Sequence, residues 1–361
     1  MKKKFIARIN KFLSPTSGQV GGDGSSSSVD VREEYANAFR TESYNEFWTR
    51  VIMLSDKSSN SGIPVETTTA ARLPSYRLFV EHLLDPDQPT VTRIVSLIHN
   101  PPALHSLLSD YFTQTSNASL LCGLLLKDID RTRIQYRSLK TTLQSFDTEK
   151  HFQIILTQLF EFSNISNPFD CSASSPSQVQ LMQADCSNLL KQLETSRNKA
   201  KAKLQLRSRL KHSSGLFIAS LTASFTIILA THALALLVAA PSFVAASVAL
   251  ASSRKLGRVS AQLDMAAKGT YILCRDLETI TRLVARLSDE MEHIRKRVKF
   301  CNENGEIWLQ SNGEVMRQLK MNDCTFNEQL NELEEHLYLC FMTINRARSL
   351  VLKEILDPGQ Q

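Results

Sequence analysis

Glycine and proline are scarce in this chain, which has 12 Gly and 11 Pro among 361 residues. This is about half of their usual combined share, so neither a β-sandwich nor a glycine-rich nucleotide-binding fold is expected. The seven cysteines are widely dispersed and never form a CxxC pair. This pattern indicates neither a disulfide framework nor a zinc site, and reduced cytosolic thiols are expected instead.

The motifs of common enzyme classes are also missing. The chain contains no GxxxxGKS/T, no HExxH and no GxSxG sequence, the motifs that mark phosphate loops, zinc proteases and serine hydrolases. His99 and His105 flank a Pro-Pro turn without a cysteine or carboxylate at metal spacing. We therefore expect no enzymatic activity, no cofactor, and no catalytic or metal-ligating residue.

One long segment carries no formal charge. From Ser213 to Ser253 there are 41 residues without Lys, Arg, Asp or Glu. A single helix of that length would be about 61 Å long, twice the ~30 Å of a bilayer core. The sequence therefore predicts two spans, Gly215–Ala235 and Leu237–Ser253, with the hairpin tip at Pro241. A buried hairpin in a soluble bundle and a re-entrant or interfacial hairpin are the alternatives.

Basic residues flank this segment on both sides, with no acid among them. A two-pass segment returns to the side on which it started, and basic flanks favour the cytosolic side. The rest of the chain has 32 basic and 36 acidic residues, so a nucleic-acid partner is not expected. The pattern predicts a multi-pass membrane localisation with two spans, both termini cytosolic, and the lipid bilayer as a partner. The flanking residues are Arg197, Lys199, Lys201, Lys203, Arg207, Arg209, Lys211, Arg254, Lys255 and Arg258.

Heptad patterns predict long helices around the segment. The strongest pattern runs from Leu273 to Val298, and similar patterns cover 122–143, 179–200 and 326–351. The predicted fold class is all-α: a helical bundle with long coiled-coil-like helices and a transmembrane helical hairpin. The seam of the strongest pattern either packs within the chain or recruits a protein partner or a second copy, as a homo-oligomer. Its central residues are Leu277, Ile280, Val284, Leu287, Met291 and Ile294.

The two helices beside the hairpin are expected to pair as an antiparallel stalk. Folding about a centre between Val238 and Ala239 would place Leu193 opposite Val284. The predicted organisation divides the chain at composition shifts and at Pro-, Gly- and Ser-rich stretches. It consists of a basic tail and linker (1–29), an N-terminal helical region (30–162), a loop (163–176), a stalk helix (177–212), the transmembrane hairpin (213–253), a returning stalk helix (254–300) and a C-terminal helical region (301–361).

Three stretches carry a family resemblance. They are EEYANAFRTESYNEFW at 33–48, LPSYRLFVEHLLDPDQPTV at 73–91, and the basic-flanked hydrophobic hairpin. With the helical spacing, they resemble the plant uncharacterised-protein family (UPF) of two-pass membrane proteins, related to the plant integrin-like proteins. The resemblance implies membrane association and a link to the cytoskeleton or cell wall, without known catalytic chemistry.

Together, the residues and the resemblance predict a non-enzymatic integral membrane protein. It would act as a membrane-anchored helical scaffold or linker that presents helical surfaces to cytosolic protein partners. A membrane-shaping or oligomeric channel-like hairpin protein is the alternative.

Overall fold

A computed structural model describes residues 84–97, 101–144, 152–170, 175–225, 235–303 and 305–356. Within these ranges, the side chains of 142–144, 152–156, 158, 209–252 and 301–324 lie outside the description. Every described secondary-structure element is a helix, so the predicted all-α class is confirmed. The helices are α1 (Gln88–Leu97), α2 (Pro102–Gln144), α3 (Phe152–Asn164), α4 (Pro176–Phe225), α5 (Ala235–Glu303) and α6 (Gly305–Leu356).

Local sequence signals fix where two of the long helices begin. Pro102 and Pro176 are the first residues of α2 and α4. Proline suits this position because its missing N–H would have no helical acceptor there. Ser175 caps α4, since its Oγ accepts a hydrogen bond from the Gln178 N–H at 3.3 Å. The capped proline start therefore defines the entry into α4.

The helices α2, α4, α5 and α6 form a four-helix bundle in which each runs antiparallel to its neighbours. The Arg133 guanidinium of α2 contacts Glu334 of α6, whereas Arg348 near the end of α6 contacts Phe112 near the start of α2. The pairs α4–α5 and α5–α6 pack closely, α4 also contacts α2, and α1 and α3 pack against the bundle. The topology is up-down-up-down, which suits consecutive antiparallel helices.

The heptad residues fill the bundle core. All six central seam residues of α5 are at most 1% exposed, and they share one cluster with apolar residues of α2, α4 and α6. Because the bundle itself covers this seam, the pattern reports internal packing rather than a free coiled-coil surface. The seam residues are Leu277, Ile280, Val284, Leu287, Met291 and Ile294.

The connection after α3 is held to α5 by buried polar contacts. The Asn167 side chain donates to the Ser288 carbonyl and hydroxyl oxygens, at 3.2 and 3.0 Å, and accepts from the Phe169 N–H at 3.1 Å. The Ser288 hydroxyl donates to Asp170 at 2.6 Å. These bonds satisfy backbone and side-chain groups that would otherwise be buried without partners. The connection is thereby fixed on the bundle.

The predicted membrane localisation is contradicted by the structure. Across the described residues, no helix is long and apolar enough to cross a membrane. Within the uncharged segment, the structure describes residues 213–225 as part of α4 and residues 235–253 as part of α5. Residues 226–234 and the side chains of 209–252 lie outside the described part. The prediction of two spans with both termini cytosolic is therefore corrected.

The hairpin tip was also expected at the wrong residue. Pro241 lies within α5, which begins at Ala235, so it is not the tip of the hairpin. Pro241 is the seventh residue of α5 and removes one helical hydrogen bond, but the 69-residue helix continues past it. The reversal comes earlier than predicted, and it changes the pairing of the stalk helices.

The stalk helices are antiparallel, as predicted, but in another register. Ser187 contacts Cys274, and Arg197 contacts Asp264. Both pairs are symmetric about a point between residues 230 and 231, not between Val238 and Ala239. Leu193 therefore does not face Val284. The predicted tail, linker and helices before residue 84 lie outside the described residues.

Candidate functional site

The four-helix part of the molecule closes at one end, and the α4–α5 hairpin continues beyond it. An apolar cluster at this end joins Leu104 of α2, Leu193 of α4, Leu263 of α5 and Ile355 of α6. Past this cluster α6 ends at Leu356 and α2 has not yet begun. Of the described helices, only α4 and α5 remain at this level, and their side chains there are more exposed.

Burial changes abruptly at this boundary. Ala200 and Ser260 are the buried residues nearest to the hairpin end among the described side chains of α4 and α5. The helix α4 continues for 25 residues beyond Ala200, and α5 begins 25 residues before Ser260. At 1.5 Å per residue, the two-helix extension is about 38 Å long. The predicted basic residues lie where this extension leaves the bundle.

Asp264 marks the boundary and holds the two helices together. Its Oδ1 contacts Arg197 and Lys201 of α4, each at 3.3 Å, and its Oδ2 contacts Lys268 of α5 at 3.2 Å. Partial burial alone would raise the pKa of this carboxyl, but the hydrogen bonds and charges of Lys268 and Lys201 outweigh it and lower the pKa below its ordinary 3.8. Asp264 is thus charged at neutral pH.

The register of the hairpin brings basic residues of α4 and α5 to the same level. Ser187 of α4 contacts Cys274 of α5, and Arg197, ten residues further along α4, contacts Asp264, ten residues earlier in α5. Ten further residues in each direction bring Arg207 level with Arg254, and Lys203 is level with Arg258. Like charges at the same level repel one another, and an anion placed beside them would relieve that repulsion.

We name these side chains the basic surface. Each of its members is exposed, and no acidic residue occurs in the sequence between Glu194 and Asp264. Arg209 and Lys211, also predicted, have side chains outside the described part. The structure therefore gathers the described basic flanks of the two helices where the extension leaves the bundle. The basic surface consists of Lys199, Lys201, Lys203, Arg207, Arg254, Lys255 and Arg258.

The basic surface also has an apolar component and open space. Leu206 lies between Lys203 and Arg207 in sequence and is 60% exposed. A Cβ added at Gly257 would meet no atom within 4 Å, so the space beside this residue is open. The surface thus combines a high density of positive charge with an exposed leucine, a pattern typical of membrane-surface and peptide-target helices.

A second polar centre, at Arg348, is structural. Its guanidinium is fully buried and donates to the Pro86 carbonyl (2.8 and 3.0 Å), the Phe112 carbonyl (2.9 Å) and the Thr115 hydroxyl (2.7 Å). It lies 5.2 Å from the centre of the Phe112 ring. Burial lowers the pKa of Arg348 to about 10. Its donors are used within the fold, where they tie the segment before α1 to the bundle.

Four cysteines, one from each helix of the bundle, lie in the interior: Cys122, Cys186, Cys274 and Cys340. Burial raises the pKa of Cys186 to about 12, and the pKa of Cys274 is also raised by burial. A hydrogen bond with Cys122, and then burial, raise the pKa of Cys340 well above its ordinary value. A thiol must be deprotonated to act as a nucleophile or metal ligand, so this arrangement does not favour thiolate chemistry.

A buried carboxylate, Asp276, lies near the cysteines. It accepts a hydrogen bond from the Thr343 hydroxyl at 2.8 Å and lies 3.7 Å from His336. In the described ranges, no group of three or more His, Cys, Asp or Glu residues is placed to hold a metal ion. The Thr343 hydroxyl provides a hydrogen-bond partner for this buried polar group, and the surrounding core closes it to a substrate.

Sequence patterns missed three of these groups: Asp264, Asp276 and Arg348. Asp264 had a usable signal, since it is the first acid after a long acid-free stretch with ten basic residues. Asp276 and Arg348 each lie next to a heptad residue, Leu277 and Ala347. That position only borders the core face, and only the packed structure shows that both side chains are fully buried.

Comparisons with known proteins match most of the chain. A family model described as "Protein of unknown function (DUF677)" matches residues 51–355. The UPF0496 protein At1g20180 of Arabidopsis thaliana is 29% identical over 364 residues, covering 91% of each chain. The UPF0496 protein At3g19250 of the same plant is 28% identical over 346 residues, covering 92% of this chain and 91% of its own. No solved structure matches.

Proposed function

The chain belongs to the DUF677 family, and for it we propose a role as a non-enzymatic helical scaffold that holds a docking surface for an anionic partner. The observation that carries this proposal is the basic surface. Seven exposed Lys and Arg side chains converge on one end of the bundle, in a sequence stretch without acids. A concentrated field of one sign steers and holds partners of the opposite sign.

The bundle supports this role because it holds the two basic helices in a fixed relation. The Asp264 contacts with Arg197 and Lys201 connect α4 and α5 directly below the surface. The interior beneath is filled by apolar side chains of all four helices. A preorganised surface loses little conformational entropy on binding, so rigidity is useful to a scaffold.

The resemblance to integrin-like proteins adds an implied link to the cytoskeleton or cell wall. In this proposal the basic surface forms one arm of such a link, and protein partners contact the outer helical faces. Proximity labelling from the C terminus of the full chain would identify those neighbours. Some neighbours should be lost when the basic surface is neutralised but kept in a control variant with the same change in net charge. Those neighbours would be the partners of the basic surface.

The availability of the basic surface can be tested on the purified chain with a sulfated polyanion. On heparin–agarose, we expect the triple variant Lys203→Gln, Arg254→Gln, Arg258→Gln to elute at lower salt than the wild-type chain. The matched control neutralises exposed residues of α2 and α5 that lie away from the basic surface, with Arg131→Gln, Arg137→Gln and Arg282→Gln.

The control has the same change in net charge, so it separates a local surface from overall basicity. We expect the control to elute near the wild-type salt concentration. Equal shifts for the two triple variants would show that binding follows net charge, and the proposed docking surface would then be rejected.

A further inference from the structure

We propose that the partner of the basic surface is the anionic phospholipid headgroup layer of a membrane, which the surface contacts from the aqueous side. This inference rests on the proposed function and names its partner. It depends on three observations at the hairpin end: the placement of the charges on both helices, the exposed Leu206, and the abrupt end of the charged region.

The charges form a compact patch at the base of the two-helix extension, where α4 and α5 leave the bundle. They occupy 199–207 on α4 and 254–258 on α5, a length of about 12 Å along α4 at 1.5 Å per residue. Because the two helices are antiparallel, both contribute at the same level. Several phospholipid headgroups can approach such a patch together, and each basic residue near an anionic leaflet strengthens attachment.

Leu206 supplies the apolar contact that headgroup binding uses. It is 60% exposed within the basic surface, and a Cβ added at Gly257 on the facing helix would enter open space. A leucine between lysine and arginine can reach the boundary between headgroups and acyl chains while its neighbours stay at the phosphates. Neither observation is needed to build the bundle, whose apolar cluster ends before this level.

The distribution of charge favours lipid over nucleic acid. Strong binding to a nucleic-acid backbone uses many Lys and Arg contacts to successive phosphates. Here the charged residues stop at Lys211 and resume only at Arg254, with 41 uncharged residues between Ser213 and Ser253. The patch is therefore bordered by uncharged chain on the hairpin side and by the Asp264 carboxylate on the bundle side.

Sedimentation with vesicles tests this assignment on the full chain. The probes are vesicles of phosphatidylcholine alone and vesicles with about one third phosphatidylserine. We expect the wild-type chain to sediment with the phosphatidylserine vesicles at low salt and to be released as the salt rises, because exposed charges are screened. Each neutralised residue should weaken partition about fivefold, so the triple variant at Lys203, Arg254 and Arg258 should lose about 100-fold.

Two controls make the result specific. The α2 and α5 triple variant at Arg131, Arg137 and Arg282 should bind within about threefold of the wild-type chain, since those exposed residues lie away from the patch. Leu206→Gln keeps every charge and should weaken partition by about tenfold through loss of the apolar contact. Far-UV circular dichroism of each variant confirms that the bundle is folded.

Several outcomes would overturn the lipid assignment. Equal sedimentation with phosphatidylcholine vesicles, or binding that high salt does not release, would show that the charges do not carry the attachment. So would a triple variant at Lys203, Arg254 and Arg258 that binds like the wild-type chain. If heparin binding depends on the basic surface but vesicle binding does not, the docking surface remains and its partner is an acidic protein or a nucleic acid. If heparin binding also fails, the proposed function fails with it.

Discussion

Gly269 offers a direct test of how closely the bundle helices approach one another. A Cβ added at this position of α5 would lie 2.7 Å from the Tyr111 Oη of α2 and 3.0 Å from the Ala347 Cβ of α6. Tyr111 is fully buried, so its ring cannot move aside without disturbing the core. We therefore expect Gly269→Ala to destabilise the bundle.

Gly257→Ala is the matched control because it makes the same chemical change in the same helix. An added Cβ meets no atom within 4 Å there. Alanine is favoured over glycine in a helix interior by about 1 kcal/mol, and both variants gain this amount. Overpacking costs about 1–3 kcal/mol and affects Gly269 alone. The free energies of unfolding of the two variants should therefore differ by about 1–3 kcal/mol.

Urea unfolding followed by far-UV circular dichroism measures this difference. A second background, Tyr111→Phe, removes the oxygen at 2.7 Å but leaves the ring carbon Cε2 at 3.4 Å and Ala347 at 3.0 Å. In the Tyr111→Phe chain, Gly269→Ala should therefore lower the free energy of unfolding by less than it does in the wild-type chain, but still by a measurable amount. If Gly269→Ala and Gly257→Ala have equal stabilities, the close three-helix contact that we describe is wrong.

Three further predictions concern buried and bridging polar groups. Arg348→Met should lower the free energy of unfolding by about 3 kcal/mol or more, because it leaves buried acceptors without donors. Urea unfolding measures this loss. An equal loss in the exposed control Lys353→Met would contradict the prediction. Asp264→Asn should lower stability at pH 7 by about 1 kcal/mol or less, since its partners are half exposed. The folded-state pKa of Asp264 is lowered, so the stability that its carboxylate contributes is present above the unfolded pKa of about 3.9 and is lost as the pH falls below that value. Unfolding of the wild-type and Asp264→Asn chains at pH 7 and pH 3 checks this. An equal difference in stability between the two chains at both pH values would refute it. The Cys186 thiol should resist iodoacetamide until denaturant is added, which peptide mapping by mass spectrometry detects; rapid alkylation in the folded chain would show that this thiol is accessible.

Periodicity predicted much of this fold because it reports directly on burial. Residues such as Leu277, Val284 and Leu330 recur at heptad spacing, and all are fully buried. The antiparallel pairing of α4 and α5 also followed from the sequence. Its register did not, because heptads can pair in several registers and the turn decides among them. Pro241 was the obvious place for the turn, yet α5 continues through it.

The candidate site was predictable in composition but not in geometry. Consecutive basic residues identified the flanks of the uncharged segment. Only the register shows that Lys203 is level with Arg258 and that Asp264 joins the two helices. The two-span localisation was wrong because a lack of charge does not by itself make a span, and among the described residues no helix is long and apolar enough to cross a membrane. The buried role of Arg348 could not be predicted, because it donates to backbone carbonyls that are distant in the sequence, and every residue has such a carbonyl.

The contacts of Arg348 constrain how the chain can fold as it is synthesised. Its guanidinium bonds to Pro86 and Phe112, which precede it in the chain by 262 and 236 residues. Domains generally begin to fold from their N-terminal side during translation, but α2 cannot receive these bonds until almost the whole chain has left the ribosome. Until then its apolar face lacks α6, and a nascent chain stalled before Arg348 would be a natural client for chaperones that shield exposed helices.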